Sequence, residues 1–126
     1  MSEFRAKSLD LVWIMVKDFD EAVKFYKDVL GLVQKDFAPE YNWIEFEGVN
    51  GGARLGICAM CEDAPIQPGS NAVVSLTVDD LDQAIDFLKT KGAALVGETQ
   101  EVPHHVKMQL IQDPSGNFIH ICQLLN

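Results

Sequence analysis

The chain switches between two hydrophobic rhythms, and it does so twice. Val12, Ile14 and Val16 are β-branched at every second position, the period of a half-buried strand. Beyond Asp18 the period changes: Ala22, Val23, Phe25, Tyr26 and Leu30 are spaced for one face of a helix. Sixty-two residues on (Leu11 to Val73) the pattern returns, with Val74, Leu76 and Val78, then Ala84, Ile85, Phe87 and Leu88. At that offset Asp18 matches Asp80, Phe25 matches Phe87 and Lys27 matches Lys89. A repeat of this length predicts one duplicated supersecondary unit whose copies pack as equivalents. Asp18 and Asp80 are N-cap residues, and Gly31 and Gly92 are placed to end the two helices.

The remaining segments complete each copy. Strands are predicted over residues 9–16, 32–38, 41–47 and 53–60 of the first half, with a helix over 19–30 and a break at Pro39 and Glu40. GVNGG (48–52) is a turn. In the second half strands are predicted over 72–78, 93–102 (interrupted near Gly97), 106–112 and 118–124, with a helix over 81–91. DPSGN (113–117) is the turn that matches GVNGG. Residues 61–71 (CEDAPIQPGSN) carry two prolines and a glycine and are expected to link the halves. The predicted fold is α+β: two tandem βαβββ modules, 1–60 and 72–126, whose curled mixed sheets pair around a cleft.

Composition narrows the function. Of 126 residues 48% are hydrophobic, enough for one domain's core, and no run nears the roughly 18 apolar residues of a membrane span. The stretch MSEFRAKSLD (1–10) holds no apolar run, so no signal peptide is expected. Three cysteines fit a reducing, cytoplasmic setting. The net charge of −9 argues against nucleic acid, whose binding needs phosphate neutralisation. It permits a cationic ligand, although an acidic, solubilising surface explains it as well. His104 with His105, and Cys58 with Cys61, are weak metal or redox patterns. Adjacent strand residues point opposite ways, and CAMC lacks a following helix N-terminus.

The stretches DEAVKFYKDVLGL (20–32), VDDLDQAIDFL (78–88) and QDPSGNFIHI (112–121) resemble the vicinal oxygen chelate superfamily. That group includes glyoxalase I, extradiol dioxygenases, fosfomycin-resistance enzymes and bleomycin-resistance proteins. The resemblance covers residues 9–124. It implies a metal site with one donor on the first and one on the last strand of each module. Those positions hold Leu11, Gly56, Val73 and His120 here. One imidazole is not a divalent metal site, so no metal and no cofactor are expected.

The same positions imply which strand faces line the cleft. Trp13 and Met15 face it from the first strand, Trp43 and Glu45 from the third, and Arg54, Cys58 and Met60 from the fourth. Ser75, Thr77, Phe118, His120 and Cys122 face it from the second module. An offset of 64 places Lys107 and Gln109 opposite Trp43 and Glu45. An apolar face with a few polar groups suits a small-molecule ligand. The expected binding residues are Trp13, Met15, Trp43, Glu45, Arg54, Gln109 and His120, with His120 and Glu45 as candidates for any general base. The leading expectation is a metal-independent binding or sequestering protein for a small, planar, cationic molecule, dimeric as the resemblance implies. Two alternatives stand beside it. One is a lyase, isomerase or dioxygenase using His120 with a non-standard metal site. The other is a structural module whose inner face is filled by side chains.

Overall fold

A computed structural model describes Arg5, Leu9 and residues 11–59, 66–69 and 73–125. Met60, Cys61 and most of the expected linker lie outside the described residues. The first module runs β1 (Leu11–Val16), α1 (Phe19–Lys24), β2 (Val33–Ala38), β3 (Trp43–Gly48) and β4 (Gly51–Ala59). The second runs β5 (Val74–Thr77), α2 (Leu81–Thr90), β6 (Ala94–Val102), β7 (Val106–Gln112) and β8 (Phe118–Leu124). Each module is a four-stranded mixed sheet, ordered β1-β4-β3-β2 and β5-β8-β7-β6. Its first and last strands pair in parallel, and its other pairs are antiparallel. The two sheets curl without closing on each other. No helix among the described residues is long and apolar enough to cross a membrane.

The capping chemistry is as the sequence predicts. Asp18 accepts a hydrogen bond from the Glu21 N–H at 3.0 Å, and Asp80 accepts one from the Gln83 N–H at 3.1 Å. Gly31 and Gly92 both take positive φ, +70° and +74°, a backbone that side chains resist. Helix α1 departs from expectation in its second half. Residues Phe25–Val29 form a π-helical turn, closed by Leu30 N–H to Phe25 C=O at 3.0 Å. Pro39–Tyr41 winds into a 3₁₀ turn, and Asn42 takes φ +53°, so β3 opens at Trp43 rather than at Tyr41.

Alternate residues of the central strands, with Val16 of β1, point toward the helices. Val16, Ile44, Phe46, Leu55 and Ile57 do so in the first sheet, and Ile111, Ile119 and Ile121 in the second. With Phe25, Tyr26, Leu81 and Leu88 they make a single apolar cluster spanning both modules. The other face of each sheet is left for a site.

The turn between β7 and β8 clasps the modules together. Asp113, 4% exposed, accepts from Tyr26 Oη (2.8 Å), from the Ser115 and Asn117 N–H groups (2.9 and 2.8 Å) and from Asn117 Nδ2 (3.0 Å). Asn117 Nδ2 also donates to Met15 C=O at 2.9 Å. Ser115 Oγ accepts from the Lys17 N–H at 2.8 Å. The Tyr26 phenol is pushed far above its ordinary value, first by burial and then by the charge of Asp113. The folded protein therefore keeps a proton that the unfolded chain releases above about pH 10. Stability from this group is complete below that pH and is lost as pH rises past it. Denaturant midpoints measured from pH 9 to 11 are expected to fall more steeply for the native chain than for Tyr26→Phe. Equal slopes would mean that Tyr26 does not couple folding to protons.

Candidate functional site

The inner face of the first sheet divides into an aromatic half and a charged half. Register places Trp13 beside Gly56 and Met15 beside Cys58 on β1 and β4, with Trp43 and Glu45 opposite Cys58 and Gly56 on β3. The Trp13 and Trp43 rings meet edge to face, with centroids 6.0 Å apart and planes at 67°. Trp13 remains 39% exposed, while Met15, 3% exposed, is buried apart from the helix-side cluster. Two aromatic surfaces at this angle form a corner against which a flat molecule can lie.

Trp43 is where it is because residue 56 has no side chain. A Cβ at Gly56 would stand 2.5 Å from Trp43 Cη2, 2.7 Å from its Cζ2 and 2.9 Å from Trp13 Cβ. The indole thus occupies the space of a side chain on β4. Its ring N–H donates to Glu45 Oε2 at 3.0 Å. Glu45 Oε1 accepts from Arg54 Nη1 at 2.9 Å. The same guanidinium reaches Asp36 at 2.8 Å and Glu47 at 3.1 Å, and Lys35 lies 3.9 Å from Glu47. Hydrogen bonds to Glu45, Glu47 and Asp36, in that order of effect, raise the Arg54 pKa further, so it stays charged at every working pH. Both oxygens of Glu45 are engaged, which makes it a holder of the indole rather than a free base. Asp36 and Glu47 belong to this network. Arg54 and Glu45, placed together on the inner face, were the only signal for them in the sequence.

His120 stands on the second sheet, beside Ser75 on β5 and Leu110 on β7. Cys122 lies on the same face. Burial pushes its thiol pKa up, against a smaller opposing effect of a hydrogen bond with Ser75. Cys58 and Cys122 are both half-buried. His104 and His105 are exposed in the 103–105 turn, His104 at φ +69°.

Gln109 requires a correction. It is 3% exposed and lies opposite Ile121, on the helix side of its sheet. Its Nε2 donates to the carbonyls of Val96 and Gly97, both at 3.2 Å, and its Oε1 accepts from Thr99 Oγ1 at 2.9 Å. These groups lie where the β6–β7 register shifts between Val96 and Gln100, so Gln109 satisfies backbone that the bulge leaves unpaired. Lys107 shares that side and pairs with Asp82 of α2 at 3.6 Å. The cause is register. The β3–β4 hairpin slips between Phe46 and Gly48, whereas β7–β8 pairs without a break. Leu110, not Gln109, therefore corresponds to Glu45, and a one-residue shift turns every side chain over. Leu110 and Met108 take the inner-face places.

A metal does not fit the positions that the resemblance implies. Leu11 and Val73 offer no donor atom, and the volume over Gly56 holds the Trp43 ring. His120 is the one donor of the four. Among the described residues no three His, Cys, Asp or Glu side chains converge into a metal-holding group.

Two tandem βαβββ modules, each a curled four-stranded mixed sheet, define the fold class. The chain belongs to the Glyoxalase/Bleomycin resistance protein/Dioxygenase superfamily, whose family model matches residues 8–121. No curated protein matches it. Among solved structures it is similar to TnmS3, an antibiotic binding protein from Streptomyces, at 21% identity and TM-score 0.76, covering 97% of this chain and 99% of that one. A superfamily member from Sphaerobacter thermophilus matches at 20% identity and TM-score 0.77, covering 94% and 98%. A glyoxalase/bleomycin resistance protein/dioxygenase from Nocardioides matches at 18% and 0.73, covering 98% and 87%. Identities this low speak for the fold alone.

Proposed function

We propose that the chain binds and sequesters a small planar molecule against the Trp13–Trp43 corner, without a resident metal or other cofactor. The observation that carries this reading is the Trp43 indole lying over Gly56, an aromatic surface where the family's metal carboxylate would stand. Aromatic faces attract cations. The charged half of the face adds three carboxylates against Arg54 and Lys35. A flat cation therefore suits the site best. The antibiotic binding named for TnmS3 fits the same reading. Trp13 and Val73 are 39% and 42% exposed on the inner faces, which suits closure of the cleft by a second copy of the chain. Three cysteines suit a reducing cytoplasm.

The test is a fluorescence titration of metal-stripped protein. A planar aromatic cation is expected to quench the tryptophans at micromolar concentration, and Trp13→Ala is expected to weaken binding by about tenfold, the scale of one buried aromatic contact. Zn²⁺, Ni²⁺, Mn²⁺ and Fe²⁺ are expected to leave the emission unchanged. Stoichiometric metal that is lost on His120→Ala would overturn the reading in favour of metal-assisted chemistry.

A further inference from the structure

The two modules are related by repeat, but the two places where a hairpin turn crosses the neighbouring module are not alike. At one crossing the 113–117 turn is pegged to the end of β1. Ser115 Oγ holds the Lys17 N–H, Asn117 holds the Met15 carbonyl, and Asp113 holds Tyr26. At the other crossing the 48–52 turn meets the end of β5, and the pegs are missing from the sequence. Gly51 stands for Ser115, Ala53 for Asn117 and Leu88 for Tyr26. Val49 at the tip is 80% exposed. Between this turn and β5 lies a cavity of about 570 Å³.

The size is that of a small-molecule pocket. Its walls are apolar, with Val12, Leu55 and Leu76 among them, and its rim carries Glu47, Thr77 and Asp79. Arg54 also reaches the rim, but its guanidinium is held by Asp36, Glu45 and Glu47. Glu47 is already engaged by Arg54 and Lys35, so Asp79 is the rim carboxylate that sets the charge of this end. An occupant with an apolar body and a cationic head matches both the walls and the charge. An alkanoate would meet repulsion, and a neutral alcohol would leave the charge unused.

We propose that this seam cavity is a second binding site, separate from the tryptophan corner, for a small aliphatic ammonium ion. The missing pegs are what keep it open, and Asp79 selects the charge. The experiment is a backbone-amide NMR titration of the full chain with hexylammonium, hexanol and hexanoate. Hexylammonium is expected to shift the Asn50, Thr77 and Asp79 amides to saturation while the two indole N–H signals stay still. Hexanol is expected to bind about fivefold more weakly, the scale of one partly exposed ion pair, and hexanoate more weakly still. Asp79→Asn is expected to erase the preference for hexylammonium over hexanol. Thr77→Trp, which fills the cavity from an exposed strand position, is expected to abolish the shifts, with signal dispersion reporting its fold. Equal binding of all three probes, movement at the Trp13 and Trp43 indoles instead, or no saturable shift would each overturn the proposal.

Discussion

Asp113→Ala is expected to destabilise the protein by roughly 4 kcal/mol or more. The carboxylate accepts four hydrogen bonds at 2.8–3.0 Å in a site 4% exposed to solvent. Its removal orphans the Tyr26 hydroxyl, two backbone N–H groups and half of the Asn117 amide. A buried donor left without a partner costs about 1–3 kcal/mol. Against a total stability of about 5–15 kcal/mol for a domain, this one change brings the chain near its unfolding threshold. Asp113→Asn keeps an acceptor oxygen and is expected to cost about half as much. Val49→Ala, at the tip of the matching turn in the other module, is expected to change stability by less than about 0.5 kcal/mol. Equilibrium denaturation of the three variants checks the contrast. A loss below about 1 kcal/mol in Asp113→Ala would show that the turn does not clasp the modules.

The contrast also shows where sequence reasoning reaches its limit. The strands, caps and helix stops were legible because each rests on local chemistry: β-branched alternation, an Asp before a helix, a glycine at positive φ. The repeat made the tandem architecture legible as well. Asp113 and Asn117 read as ordinary turn residues, since both satisfy turn backbone on their own. Their reach across the molecule depends on which module they face. One signal was available: the repeat sets Tyr26 against Leu88, and a hydroxyl on a core face needs a buried partner. The inner face was legible on β1, β3 and β4, where register follows the repeat. It was misread on β7 because the repeat does not record a bulge. The longer β4 side of that slip, Gly51 to Leu55 against Phe46 to Gly48, is invisible to a fixed offset, and the offset therefore placed Gln109 and Lys107 on the wrong face. The hold of Glu45 on Trp43 was likewise beyond pattern. Residues two apart on a strand share a face, but only the indole's position over Gly56 brings its N–H to the carboxylate.

That position makes Gly56 the residue whose replacement should test the aromatic reading most directly. Gly56→Ala is expected to cost about 1–3 kcal/mol, the range for overpacking a filled site, because the new Cβ would sit within 3 Å of both tryptophans. The Trp43 ring must turn away, and Glu45 then loses its indole donor while still holding Arg54. Emission should shift to the red as Trp43 gains water, and affinity for a planar cation should fall with it. In a Trp43→Ala background the sign should reverse. With the ring gone, alanine in mid-strand is expected to be neutral or slightly stabilising relative to glycine. A double-mutant cycle read by denaturation should therefore give a coupling of about 2 kcal/mol. Gly56→Glu restores the carboxylate that the family places here, yet Leu11 and Val73 still offer no donors. It is expected to carry the same steric cost and no gain in metal affinity. Tight metal binding by Gly56→Glu would mean that the indole alone had kept a metal out. Zero coupling between residues 43 and 56 would mean that the ring is free to leave, and the corner would not be a preformed wall.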